Sequence, residues 1–316
     1  MSGLDPVVYF FLFGLLAGIL RAELRLPNAV YELVSTVLLL AIGLKGGVEL
    51  AKQPFATLLP QVLAVALMGA ALPLLAFPVL RHVGRLPRAD AASLAAHYGS
   101  VSVGTYAVAA AWFTNRQIAY EPHMPLLLTV LEVPAIVVGV VLARGLGGGT
   151  QFRRMAHEVF LGKGIVLLTG GLLIGWAAGP QGVASIEPLF FDLFKGVLAL
   201  FLLEMGLITA TQLGSLRTHG LFLLLFGVAM PLFSSVVGLG IGILLGLSVG
   251  GQAMLAVLAA SASYIAVPAA MRISVPEANP SLSFAASLGV TFPFNILVGI
   301  PLYHARAVRT HALLGG

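Results

Sequence analysis

The chain has no cysteine and little charge: Asp, Glu, Lys and Arg together make up 9% of its 316 residues. The first absence removes disulfide frameworks, thiolate metal sites and cysteine nucleophiles at once. The second removes the ordinary soluble domain, in which charged residues are about 25%. His82, His97, His123, His157, His219, His304 and His311 are scattered, with no His-x-x-x-His or carboxylate spacing, so neither a metal nor a cofactor is expected. There is no Walker sequence to couple the chain directly to ATP and no local hydrolase triad, and the expectation is not an enzyme. The first apolar run, residues 6–20, lacks a basic n-region and a small-residue cleavage site and reads as a retained helix.

What is present is apolar. Hydrophobic residues are 59% of the chain and mean hydropathy is +1.02, the composition of an all-α polytopic membrane protein. A hydrocarbon core asks for about 20 apolar residues per helix, and Pro, Gly and charge clusters divide the runs. Helices are predicted near 6–22, 28–50, 56–80, 90–115 and 122–144, then near 164–180, 187–212, 218–246, 250–273 and 281–305. Between the two sets, residues 145–163 form a polar hinge carrying Gly145, Gly147, Gly148, Gly149, Arg153, Arg154 and His157.

Sliding the second half back by about 160 positions exposes an internal match. Tyr31-Glu32-Leu33 falls on Phe191-Asp192-Leu193, Gly46 on Gly206, Ser100 and Ser102 on Ser261 and Ser263, and Pro134 on Pro293. The organisation expected is a five-helix repeat at 1–144, a cytoplasmic hinge at 145–163, and a second repeat at 164–316, inverted because each half crosses an odd number of times. Arg21, Arg25, Arg81, Arg85, Arg88, Arg144, Arg153, Arg154, Lys163, Arg217 and Arg272 fall on one side; Lys52, Arg116, Arg306 and Arg309 fall on the other. The richer side is expected in the cytoplasm, leaving both termini outside a plasma (inner) membrane. The net charge of +5 sits in these short connections, so its partners are lipid headgroups of the bilayer and not nucleic acid.

Inside one apolar segment stands Gly99-Ser100-Val101-Ser102-Val103-Gly104-Thr105, and inside another Ser261-Ala262-Ser263 with Pro268 behind it. Glycine allows the backbone to open, and an open helix in lipid is tolerated only where it lines a protein cavity. Helix amino ends favour anions, whereas hydroxyls and carbonyls suit Na⁺. The substrate-binding candidates are therefore Ser100, Val101, Ser102, Gly104, Thr105, Ser261, Ala262 and Ser263. The competing reading is that these small residues merely let helices pack closely.

Six ionisable residues fall at membrane depth: Glu32, Lys45, Glu132, Asp192, Lys195 and Glu204. Such groups are functional candidates by default, against snorkelling or a structural pair near a helix end. Lys45 and Glu49 are spaced to pair across one turn, with Gly43, Gly46 and Gly47 allowing another backbone close by. Glu132-Val133-Pro134 sets a carboxylate where proline frees a carbonyl. Candidates for cation binding or coupling are Ser102, Glu132, Ser263, Tyr264 and Glu204.

Several stretches resemble the cyanobacterial-type sodium-dependent bicarbonate transporters. They are Ile42-Gly43-Leu44-Lys45-Gly46-Gly47-Val48-Glu49, Gly99-Ser100-Val101-Ser102 with Thr105, Glu132-Val133-Pro134-Ala135, Ala278-Asn279-Pro280-Ser281 and Gly299-Ile300-Pro301-Leu302. The resemblance implies ten helices in two inverted five-helix repeats, core and gate subdomains with helices four and nine broken, a homotrimer, and bicarbonate uptake coupled to Na⁺. It also implies a PII-like regulatory protein on the cytoplasmic face. The chain departs from that pattern in three places and has a shorter hinge. Ala260-Ser261-Ala262-Ser263-Tyr264 replaces a serine run ending in aspartate, Met205-Gly206-Leu207-Ile208 replaces Met-Gly-Met-Glu, and Val103-Gly104 replaces Gly-Ser. The first change exchanges a carboxylate for a phenol, which is neutral near pH 7.

The expected function is secondary active uptake of bicarbonate or a similar small monovalent anion, coupled to Na⁺. A proton-coupled or organic-anion carrier, a passive anion channel and a regulatory anion-binding component are the alternatives.

Overall fold

The computed structural model describes residues 5–24, 26–52, 55–145, 157 and 160–314, without the side chains of 55–57 and 215–219. Arg25 and most of the hinge, including Gly147, Gly148, Gly149, Arg153 and Arg154, lie outside the described residues, as does the side chain of Arg217.

The described elements are helical. α1 (Pro6–Ile19) starts at Asp5, whose carboxylate accepts from the Val7 N–H, and Pro6 fits the first helical position because its missing N–H would have no partner there. α2 (Asn28–Leu50), α3 (Phe55–Pro78, prolonged by a π turn at Val79–Val83), α4 (Arg88–Gly99), α5 (Val103–Asn115) and α6 (Met124–Arg144) follow. α7 (Lys163–Val183) turns at Gly179, φ 62°. The run Phe194–Leu244 turns at Gly220, φ 79°, giving α8 (Phe194–Gly214) and α9 (Gly220–Leu244). α10 (Val249–Ala260), α11 (Ala266–Ser274) and α12 (Pro280–Leu313) complete the chain, and α12 contains two π stretches, Ser287–Thr291 and Asn295–Gly299.

Among the described residues, seven helices (α2, α3, α6, α7, α8, α9 and α12) are long and apolar enough to cross a bilayer. Their outward faces carry exposed Leu63, Leu67, Leu74, Leu173 and Phe233, which lipid would solvate. The chain is a multi-pass membrane protein.

Three expectations change in detail. The helix expected at 187–212 begins only at Phe194, because Pro188 cannot donate to a preceding turn and Pro188–Asp192 is a π turn. The helix expected at 281–305 runs on to Leu313, since Arg306 folds back onto α9, its guanidinium 3.2 Å from the Ser235 hydroxyl. Residues 90–115 and 250–273 are each two helices with an extended joint.

Glycine sets how closely four of the helices approach. A Cβ on Gly47 would lie 2.1 Å from the Leu172 carbonyl oxygen, one on Gly175 2.3 Å from that of Leu44, and one on Gly43 2.5 Å from that of Leu168. α2 and α7 therefore run parallel with backbones touching. α1 and α8 do the same: a Cβ on Gly14 would lie 2.0 Å from the Leu203 oxygen, and one on Gly206 2.2 Å from that of Phe11. Where lipid is as apolar as the side chains, small residues permit the contact that drives association. Gly47→Val should destabilise the protein by about 1–3 kcal/mol through overpacking. Thermal unfolding in detergent checks this, and an unchanged midpoint would contradict the seam.

Polar ties gather at the two ends of the helix bundle. At one, the Asn115 amide donates to Asp5, the Lys195 ammonium donates to the Asn115 oxygen, and Glu121 accepts from the Ser248 N–H at the start of α10. At the other, Arg144 pairs with Glu277 at 3.1 Å, Arg88 donates to the Leu142 carbonyl, and Asp90 accepts from the Asn279 N–H at the start of α12.

Candidate functional site

Between these ends, the two joints meet. α4 stops at Gly99, where a Cβ would collide with the Pro73 ring at 2.2 Å. Ser100 is extended and Ser102 caps α5, its hydroxyl oxygen accepting from the Thr105 N–H at 3.0 Å while the Thr105 hydroxyl donates to the same atom. α10 stops at Ala260, Ser261 is extended, and the Ser263 hydroxyl oxygen accepts from Val267 N–H at the start of α11. The Ser102 N–H donates to the Ser261 hydroxyl at 2.9 Å, and that hydroxyl donates to the Leu258 carbonyl. The Ser263 N–H donates to the His97 carbonyl at 2.9 Å. Each joint thus supplies a partner for a backbone group the other has freed, as a break inside lipid requires.

α12 braces the crossing. The Asn295 amide donates to the Ala260 carbonyl at 2.9 Å and accepts from the Tyr303 hydroxyl at 2.7 Å. The Thr291 hydroxyl donates to the Gly227 carbonyl, so the Tyr98 hydroxyl, 2.7 Å away, is the donor in its bond to Thr291. Thr291 and Asn295 lie in the two π stretches, the distortion that so often accompanies a working site. Sequence reading missed both. The signal available was two polar residues one turn apart in an apolar run beside Pro293.

Ser100, Val101, Ser102, Thr105, Ser261, Ala262 and Ser263 are buried together here. The buried polar atoms with no hydrogen-bond partner among the described residues include Ser100 Oγ, Tyr264 Oη, His97 Nε2, Ser35 Oγ and one carboxylate oxygen of Glu132. Tyr264 leans on Ser102 and the Gly104 backbone without the geometry of a full hydrogen bond. A Cβ on Gly104 would lie 2.2 Å from its hydroxyl oxygen, so glycine here makes room for the phenol.

Space is distributed unevenly around the crossing. Directly in front of Gly104, walled by Ser35, Leu38, Phe201 and Ile265, only about 10 Å³ is open, at the lower limit for one water. Beyond it, a cavity of about 320 Å³ lies toward one end of the bundle, lined by Lys45, Tyr106, Thr114, Tyr120, Asp192 and Lys195. A cavity of about 520 Å³ lies toward the other, lined by Ser93, His97, Pro268, Arg272 and Pro280 among others. The crossing therefore lies between two mainly apolar cavities, each with at least one charged side chain in its wall.

The ionisable residues divide. Lys45, Asp192 and Lys195 converge on the cavity of about 320 Å³. The expected Lys45–Glu49 pair does not form, because Glu49 turns instead to Lys52 at 2.8 Å and leaves Lys45 to the cavity. Glu32 is exposed and faces Lys163 at 3.7 Å. Glu204 accepts from the Leu26 N–H at 3.2 Å, at the connection between α1 and α2. Glu132 is buried on α6, two residues before Pro134.

A comparison with curated proteins returned no match. A family model described as the Na⁺-dependent bicarbonate transporter superfamily matches residues 6–308.

Proposed function

The chain belongs to the Na⁺-dependent bicarbonate transporter superfamily, and from that premise we propose that it is a secondary active transporter taking up bicarbonate, coupled to Na⁺, through the crossing of the two joints. The observation that carries the site is the pairing of the breaks, Ser102 N–H on Ser261 and Ser263 N–H on the His97 carbonyl. Two helix amino ends and a cluster of hydroxyls converge there, a setting that favours a small anion. Ser100, Ser102, Thr105, Ser261 and Ser263 hold the oxygens of the substrate. Where the family pattern has a carboxylate this chain has Tyr264, so the Na⁺ shell draws on Ser hydroxyls and the carbonyls freed at the breaks.

The proposed topology is ten crossings in two inverted repeats, 1–144 and 164–316, in which α4 with α5 and α10 with α11 each make one broken crossing. The glycine seams support it. Gly14 meets the segment around Gly206, and Gly175 meets the segment around Gly47; an exchange of the halves by about 160 positions turns one seam into the other. In this reading α1, α2, α7 and α8 are the gate and the remaining helices the core. Leu38 and Phe201 on the gate close the front of Gly104, and sliding gate against core opens the crossing to one cavity or the other. The end bearing Arg81, Arg88, Arg144 and Arg272 is cytoplasmic, both termini are outside, and a homotrimer with a PII-like partner at the hinge completes the assembly.

Uptake of labelled bicarbonate into proteoliposomes, with and without an inward Na⁺ gradient, tests the proposal. Ser102→Ala with Ser263→Ala should lower the rate by about 10-fold or more, since hydrogen bonds to a charged ligand are the strong ones. Undiminished uptake by the double variant would sink the site assignment. A proton-coupled cycle is the reading to set against Na⁺, because Glu132 is a buried carboxylate with a partnerless oxygen. Uptake that follows an imposed pH step without Na⁺, and is lost in Glu132→Gln, would favour it.

A further inference from the structure

His97 has one ring nitrogen committed and the other available. Nδ1 is 2.7 Å from the Ser93 carbonyl. A carbonyl can only accept, so Nδ1 carries the proton, and in the neutral ring Nε2 is an acceptor. Nε2 has no partner among the described residues, and the residue is 1% exposed. The ring nevertheless lines the cavity of about 520 Å³ that also receives Arg272. A buried acceptor left unsatisfied is costly, and a polar cavity is where a ligand or a water relieves it.

The two groups make complementary demands. Arg272, at the end of α11, offers only donors and positive charge, whereas His97 Nε2 asks for a hydrogen. A ligand meeting both is an anion that still carries an O–H. Bicarbonate does so. Nitrate, which is also planar and singly charged, does not, and neither does carbonate. Among the described residues no carboxylate lines this cavity; Asp90 accepts from the Asn279 N–H and Glu277 pairs with Arg144.

We propose that His97 is the specificity-determining residue of the transporter, accepting the O–H of bicarbonate at Nε2 in the cavity on the Arg272 side and so passing hydrogen-bearing oxyanions in preference to those without a hydrogen. It rests on the bicarbonate reading above and adds to it where the selection is made. The backbone of the same residue accepts from Ser263, so the group that reads the ligand is one peptide unit from the crossing the ligand must pass.

The test is competition in proteoliposomes, labelled bicarbonate against nitrate, for wild type and three variants. His97→Asn keeps an amide donor where Nδ1 stood and removes the acceptor; the KM for bicarbonate should rise about 10-fold or more, and nitrate should then compete nearly as well as unlabelled bicarbonate. His97→Gln sets a carbonyl oxygen near the place of Nε2 and should keep most of the preference. Arg272→Gln, at an exposed position that tolerates change, should weaken both anions alike. An unchanged bicarbonate-to-nitrate ratio in His97→Asn overturns the inference while leaving the transport reading intact. Should His97→Asn not reach the membrane, loss of preference in His97→Gln or an unaltered KM in Arg272→Gln overturns it equally. Wild-type vesicles that take up no bicarbonate would remove the parent reading and this one together.

Discussion

Gly104→Ala should silence the proposed transport. The new methyl carbon would stand 2.2 Å from the Tyr264 hydroxyl oxygen and 2.9 Å from the Phe201 ring, closer than real Cβ contacts come. Something must shift, and the candidates are the phenol seated over the α5 amino end or the Phe201 ring beside it. Either displacement moves the site by a large fraction of an ångström, and misplacement of that size costs on the order of 100-fold in turnover. The helix itself tolerates alanine well, so the protein should still elute from size exclusion as wild type. The companion variant is Gly104→Ala with Tyr264→Phe, which removes the oxygen in the way and should recover part of the lost uptake. A double variant no better than the single one would show that the phenol is not what glycine accommodates.

Asn295→Leu should be the most destabilising single change at the site. The asparagine satisfies two buried groups, the Ala260 carbonyl through its amide and the Tyr303 hydroxyl through its oxygen. Leucine has nearly the same shape and leaves both without a partner, at about 1–3 kcal/mol each. In lipid no water is at hand to compensate. The joint below α10 would lose the brace that holds its last carbonyl, and the thermal midpoint in detergent should fall by roughly 10 °C. Tyr303→Phe deprives Asn295 of one bond only and is the control. If the two variants fall equally, the carbonyl of Ala260 is not held as described.

How far the sequence disclosed this site can be followed residue by residue. The two Ser-x-Ser clusters were legible because glycine and hydroxyl side chains interrupt apolar runs, and a break in lipid has to be accounted for by something polar. Their mutual hydrogen bonds were not, since nothing local states that Ser102 will face Ser261. Helix-turn spacing offered Glu49 to Lys45, but Glu49 sits equally well three residues before Lys52, and the ladder of charges on one helix cannot decide which neighbour is taken. The partners of Glu32 and Glu204 were not legible either: Lys163 and the Leu26 N–H come from elements distant in the chain. Thr291 and Asn295 escaped notice because their work is done through π turns, which displace side chains from the ordinary helical register. The Gly-rich face of α2 was readable as a close-contact surface, and its partner became known only in three dimensions.

The two glycine seams also bear on how the protein is made. Each joins a helix near the start of the chain to one synthesised more than 120 residues later: Gly14 and Gly18 wait for Leu203 and Leu207, Gly43 and Gly47 for Leu168 and Leu172. An insertion apparatus releasing the first helices into lipid releases them with bare backbone facing outward, and among the described residues no later helix of the first half meets Gly14, Gly43 or Gly47 in this way. Contacts so distant in sequence form slowly, and incomplete chains expose the surfaces meant for them. A nascent chain halted at the hinge is therefore an unfinished half with two open grooves, ready to accept the wrong helix, and the second half acts toward it as a built-in chaperone that stays.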